Sequence, residues 1–426
     1  MNKGSKKTKW RKLDDQAKIY SLSENINDTS IFRLSVVLKD KINPKILETA
    51  IEIVLEKYKA YKVKMEGGFF WYYMDNNHKK VIVTEENDYP FQKINTPENN
   101  NYLFKVTYFK NKINLELFHT LTDGNGGSMF FKEIIYKYLE LRYPNKLKSK
   151  ELDNNQSIET DNSYLTSYDK KITKAYNPPS AYMLKGKELK PGVVGINHFV
   201  INLEEFKKYS KENSCSITIM LVSMLIYSIY VSNYKKHKSK KPINVCIPID
   251  LKKYFSSNTV SNFVSYMVAS LLLKRNKEYS FNEIIEQVKQ EFENKLKYEK
   301  IVETMSTNGK LINSVFIKIV PLILKKIFVI LGTLEFKRHF TTTLSNIGKF
   351  DVEEKYQEYI KNYYFILPPD WSEKIRCGVV SYKNNLVVTL ATSLEEPSIE
   401  KIIKKILDKN KISYEIESNE INSILW

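Results

Sequence analysis

The chain has 426 residues, enough for two domains of ordinary size, each with its own core. Hydrophobic content of 42% and aromatic content of 13% exclude a disordered chain, and scarce Gly and Pro beside abundant Tyr, Phe and Ile favour mixed helices and sheets. The formal charge of +18 invites anionic partners, but lysine is spread along the whole chain and arginine is rare. That pattern reflects a general Lys, Asn and Ile bias more than an Arg-built phosphate reader, so no nucleic acid is expected.

The N-terminus, MNKGSKKTKWRK, is basic but is followed by LDDQAK instead of an apolar core, which predicts no signal peptide and a cytoplasmic chain. Residues 31–38 (IFRLSVVL) read as a strand and 43–58 as a helix, with Asn43 as cap and Pro44 at its first position. A hairpin is predicted from 60–65 and 69–74 across Gly67-Gly68, and the run FFWYY is expected to be buried on both faces of a sheet. Residues 102–109 and 113–118 alternate as two strands joined at Lys110-Asn111-Lys112, and a periodic helix is expected over 128–142.

Periodicity fades from 144 to 190, where Asn, Ser, Asp, Lys and Pro dominate, which predicts a linker or crossover loop. The second half opens with a strand at 196–201 and a helix at 203–211, then a buried helix over 217–231. Strands are expected at 244–250 and 263–273, a helix at 281–297, an antiparallel pair at 376–382 and 386–392, and a closing helix at 398–407. Three units follow: residues 1–150, a linker or crossover over 151–192, and residues 193–426. Each half is an α+β unit of a sheet with flanking helices.

The apolar stretch 312–334 is nearly long enough to span a bilayer, but Lys318, Pro321, Lys325 and Lys326 fall inside it. A buried or interfacial helix pair is expected. The functional alternative is a lysine-bearing helix lying on anionic lipid, peripheral at the inner membrane surface. Cys215, Cys246 and Cys377 are far apart and odd in number, pointing to a reducing compartment. Neither they nor the five scattered histidines have ligand spacing, so no metal is expected.

The chemistry concentrates at one corner. The alternating run 113–118 ends at His119, and a turn carrying Asp123, Gly124, Gly126 and Gly127 leads into the next helix. A neutral imidazole can take a proton near neutral pH and return it, which is the work of a general base. Asp123 lies across the glycine turn, so its expected role is to pair with a cation and hold the loop. The bland alternative is a buried strand-end histidine beside an ordinary helix-capping aspartate.

Three stretches occur in order: His119-x-x-x-Asp123-Gly124, Pro248-Ile249-Asp250-Leu251-Lys252, and Ser345-Asn346-Ile347-Gly348. Together they resemble the acyltransferases built on the chloramphenicol acetyltransferase fold, a group that includes condensation domains, and among these the alcohol acetyltransferase family most. WRKLDDQAKIY, FRLSV and GGFFWYY extend the resemblance over nearly the whole chain. It implies two similar subdomains of two-layer α/β sandwich type, arranged as a pseudo-dimer with a tunnel between them.

The resemblance further implies acyl transfer from a thioester to a hydroxyl or amine, with His119 as general base and Asp123 in structural support. Gly124, Asp250, Ser345 and Asn346 would line the substrate site. No permanent cofactor is implied; acyl-CoA or an acyl carrier thioester would be the co-substrate, and the acceptor a small molecule or lipid. Where relatives often carry Arg after the P-x-D/N-L run this chain has Lys252, which leaves Lys252 and Arg33 as candidate partners of Asp123. A noncatalytic member, binding a carrier, lipid or protein partner through the same groove, is the alternative.

Overall fold

In the computed structural model the chain folds around two large sheets, and the description covers residues 10–24, 29–147, 178–237, 239–254, 262–274, 277–304 and 319–421. Residues 151–177 of the linker expected over 151–192, and residues 312–318 of the long apolar segment, lie outside the described residues.

The first half contains β1 (Trp10–Lys12), α1 (Asp15–Ser23), β2 (Ile31–Leu38), α2 (Pro44–Lys57), β3 (Val63–Gly67), β4 (Tyr72–Asn76), β5 (Val83–Glu85), β6 (Phe104–Phe109), β7 (Lys112–Phe118) and α3 (Gly124–Arg142). The second contains β8 (Gly195–Asn202), α4 (Leu203–Glu212), α5 (Ile217–Ile229), β9 (Ile243–Asp250), β10 (Val264–Leu271) and α6 (Phe281–Lys295). It continues with α7 (Leu322–Lys337), β11 (Thr342–Lys349), β12 (Ile360–Ile366), β13 (Ile375–Tyr382), β14 (Asn385–Thr392), α8 (Ser398–Lys409) and β15 (Tyr414–Ser418).

Strand order is β12-β2-β7-β6-β5 in the first large sheet and β10-β9-β11-β13-β14-β8-β15 in the second, while β1, β4 and β3 form a small sheet of their own. The strand β12, late in the chain, thus joins the sheet of the first half, pairing antiparallel with β2 from Ile360 opposite Leu38 to Ile366 opposite Arg33. Its backbone lies so close to β13 that a Cβ on Gly378 would stand 2.2 Å from the Phe365 carbonyl oxygen. The second half of the sequence therefore lends a strand to the sheet of the first.

The second sheet is apolar on both faces, as its side-chain alternation shows. In β14, Leu386, Val388 and Leu390 pack into the core under α4, α5, α6 and α8. Val387 and Ala391 point the other way, into the core that holds β2, β7, α2 and α3. Successive residues of a strand face opposite sides, so strands buried twice read as continuous apolar runs. The helix α5, which with its continuation to His237 has the length and apolarity of a membrane span, is 72% buried over its most apolar stretch and fills this second core.

Two expectations are corrected. The hairpin forms, but its strands are β3 and β4, with Gly67 opposite Tyr72 and the Gly68 N–H donating to the Trp71 carbonyl at 3.0 Å. The aromatic run therefore begins at the tip of a small separate sheet instead of inside a two-sided one, and Phe69 is 73% exposed instead of buried. The helix expected from 128 begins earlier, at Gly124, because the Asp123 side chain accepts from the Gly126 N–H at 2.8 Å and caps it.

Candidate active site

His119 is the first residue after β7 and is held through its backbone by two different parts of the chain. Its N–H donates to the Ser30 carbonyl at 2.9 Å, and its carbonyl accepts from the Asn262 side-chain amide at 2.8 Å. The imidazole stacks on Tyr20 of α1 with ring centroids 4.5 Å apart and planes at 20°, and Phe32 of β2 closes a second side at 4.8 Å. The residue is half-buried. Its ring orientation is thus set by two aromatics, and its backbone ties the first half to the start of β10.

α1 owes its place to a polar network. Asp14 accepts from the Ala17 N–H at 2.7 Å as its cap, and burial pushes the Asp14 carboxyl up to about 6 against the pull of that bond, of Arg11 and of a hydrogen bond from Asn262. Gln16 accepts from the Val264 N–H at 3.3 Å and donates to the Val264 carbonyl, so α1 is pinned to β10. These contacts bring Tyr20 over His119.

Asp123 is 2% exposed and does two jobs. One oxygen caps α3; the other lies 3.0 Å from the ammonium of Lys252, which crosses from the second half. The cation left open between Lys252 and Arg33 is Lys252. Arg33 is instead paired with Glu116, its Nε donating to Oε1 at 3.1 Å, and with Glu86. Thr122, one residue earlier, accepts from the Tyr61 hydroxyl at 3.0 Å, so the loop from His119 to Asp123 is anchored on both sides.

The other expected residues come to the same junction in different ways. Asp250 ends β9 and accepts from the Lys252 N–H at 3.0 Å and from the Asn125 amide at 2.9 Å, so its two oxygens present Lys252 and hold the start of α3. A Cβ on Gly124 would meet Ile347 Cγ2 at 3.1 Å, which brings the Ser345-Asn346-Ile347-Gly348 strand against the corner. Asn346 donates to the Thr218 hydroxyl at 3.1 Å and accepts from the Gly348 N–H at 2.9 Å, while Ser345 lies half-buried beside it in β11.

Residues of five separate stretches of sequence therefore meet at one place: α1, the His119 corner, the β9 end, the start of β10 and β11. Tyr20, Asn262, Asn125 and Thr218 were not singled out by sequence reasoning. A partial signal existed for Tyr20, which lies in WRKLDDQAKIY, and for Asn125, which lies inside the glycine turn. Of the other histidines, His198 is buried with Nδ1 2.8 Å from the Thr389 hydroxyl, and burial holds it down at about 3, a neutral core residue. Among the described residues no group of three or more His, Cys, Asp or Glu side chains is placed to hold a metal.

Comparison with known proteins covers this arrangement. Residues 193–408, just over half of the chain, match the family model described as alcohol acetyltransferase, a stretch that includes Asp250, Lys252, Asn262, Ser345 and Asn346. No curated protein matches the chain. Among solved structures the chain is similar to TRI101 of Fusarium sporotrichioides complexed with coenzyme A and T-2, at TM-score 0.63 and 10% identity over 96% of this chain and 100% of that one. The trichothecene 15-O-acetyltransferase TRI3 of the same organism gives 0.59 at 8% identity over 94% of each chain. A starter condensation domain of rhizomide synthetase, in complex with C8-CoA, gives 0.58 at 10% identity over 98% of this chain and 97% of that one. Likeness at such identity establishes the fold: two subdomains of mixed sheets and helices, as the strand order shows.

Proposed function

The chain belongs to the alcohol acetyltransferase family, and on that premise we propose that it moves an acyl group from a thioester to a hydroxyl or amine, with acyl-CoA as donor and His119 as general base. The observation that carries the reading is the placement of His119, half-buried, stacked on Tyr20 and bonded through its backbone to Asn262 of the opposite half. A general base works when its ring is fixed and reachable, and both conditions favour this residue over the buried His198.

The steps balance without a resident cofactor. The imidazole takes the proton of the acceptor O–H or N–H as that atom attacks the thioester carbon. The tetrahedral oxyanion is held by fixed donors of the site, the C–S bond breaks, and the imidazolium returns its proton to the leaving thiolate. Asp123 takes no proton on this account, since its oxygens are engaged by the Gly126 N–H and by Lys252. Gly124, Ser345 and Asn346 would border the path of the acyl chain and acceptor, and Asp250 would support it by placing Lys252 and Asn125. Coenzyme A in the structures of two similar proteins supports a CoA thioester as co-substrate.

The test is a mass-spectrometric screen of the purified chain with acyl-CoAs of increasing length and a mixed library of alcohols and amines. Acylated product formed in step with free coenzyme A is the expected result. Thermal stabilisation by coenzyme A with no thioester consumed across the panel would favour a noncatalytic protein that binds a thioester carrier.

A further inference from the structure

α7 has its polarity reversed. A helix on the surface of a folded chain turns its apolar stripe inward and its charges out. Here Ile323, Ile327 and Leu331, spaced four apart, are 79%, 52% and 58% exposed, and Phe328 beside them is 66% exposed. The inward residue is Lys325, only 2% exposed, whose ammonium donates to the Phe70 carbonyl at 2.6 Å and stands 3.4 Å from the centre of the Trp71 ring. The helix cannot roll to hide the apolar stripe without breaking these contacts.

The stripe does not stand alone. The Leu322 N–H donates to the Phe69 carbonyl at 2.9 Å, so the tip of the β3–β4 hairpin abuts the start of α7. Phe69 and Phe70, with rings 4.8 Å apart, add to the same apolar surface from a distant part of the sequence. Exposed apolar patches of this continuity mark interaction surfaces.

We propose that α7 and the hairpin tip form an interfacial docking surface for an anionic lipid bilayer. With 16 residues the helix is about 24 Å long, short for a span but suited to lying in the plane of the headgroups. Lys326 adds a cation beside the exposed stripe, Lys337 and Arg338 being paired with Asp370 and Glu335, and the chain as a whole carries a formal charge of +18. Two copies of so basic a chain would repel across this face, whereas an anionic leaflet attracts it. Because α7 packs on α1, whose Tyr20 stacks on His119, docking sets the candidate site beside the lipid surface, where an apolar acceptor or acyl chain would be drawn from the bilayer.

Flotation of the full chain with vesicles of equal parts phosphatidylglycerol and phosphatidylcholine, against phosphatidylcholine alone, tests this. The chain should bind the anionic vesicles and release as salt rises. The double variant Ile327→Glu and Phe328→Glu should bind about a hundredfold or more weakly, and Phe69→Ser should show a smaller loss. Acylation of a water-soluble acceptor, if the chain is an acyltransferase, should be unchanged in these variants, so membrane binding and the proposed chemistry are read separately. Absence of vesicle binding, equal binding by the double variant, or a wild-type dimer that the double variant turns into a monomer would overturn the proposal.

Discussion

The Lys252 ammonium reaches across from the second half of the chain to lie 3.0 Å from the Asp123 carboxylate, which is buried at the end of the His119 loop. One carboxylate therefore caps α3 with one oxygen and locks the two halves with the other. The loop that presents His119 is held in place by this pair.

Removal of the lysine leaves a buried carboxylate without its cation. Lys252→Met should cost about 2–3 kcal/mol, tempered by the partial exposure of the lysine, and Asp123→Asn alone should be destabilising too. Urea midpoints of the two single variants and the double variant check the pairing. A coupling of about 1–3 kcal/mol is expected for groups in contact; additive losses would show that the pair does not hold the corner.

Gly124 is one of the points where the two halves touch. A methyl there would meet Ile347 Cγ2 at 3.1 Å, so Gly124→Ala should cost about 1 kcal/mol and reduce turnover by displacing the β11 strand from the corner. Ile347→Ala should make the added methyl easier to accommodate. A thermodynamic cycle over the two substitutions in which the second gives no relief would place the strain elsewhere.

Stability should depend on pH through Glu400, which is buried beside Asn197 and whose carboxyl burial pushes up to about 7. In the unfolded chain it titrates near 4.5, so between about 4.5 and 7 the folded state holds the proton that the unfolded state has lost. This contribution is fully present below 4.5 and fades as pH rises, on the order of 3 kcal/mol over the window. Glu400→Gln should therefore stabilise the chain at pH about 8 and change little at pH about 5. Denaturation midpoints that move in parallel for both proteins across that range would contradict this.

Much of the fold was legible where apolar and polar residues alternate along a strand or where helices are capped. The alternation that reads as β6 and β7 is that of an antiparallel pair, and Asn43 with Pro44 marks the start of α2 as the structure shows it, with the Asn43 side chain accepting from the Ile46 N–H at 3.2 Å. β12, IKNYYFI, was not legible, since Tyr363, Tyr364 and Phe365 are all buried and leave no period-two signal, and its partner β2 lies more than 300 residues earlier. α1 has little apolar content to announce it and depends on the Asp14 cap and on Val264.

The candidate site divides in the same way. His119 and Asp123 stood out because glycines and a lone histidine break local patterns, while Asp250 and Ser345 entered through the resemblance to the acyltransferase family. Asn262 and Tyr20 did not, because what makes them matter is a contact made only in the folded chain, 143 residues apart in the bond from Asn262 to His119. The aromatic run at 69–73 misled for a related reason: hydrophobicity signals burial only when another layer is present to cover it.

The most direct measurement compares thioester consumption by the wild-type chain and by His119→Ala, using the acyl-CoA and acceptor that give product, with circular dichroism to confirm an unchanged fold. Loss of a positioned general base should lower turnover about a hundred- to ten-thousand-fold while the protein stays folded. Turnover retained at the wild-type rate in the folded variant would contradict the account.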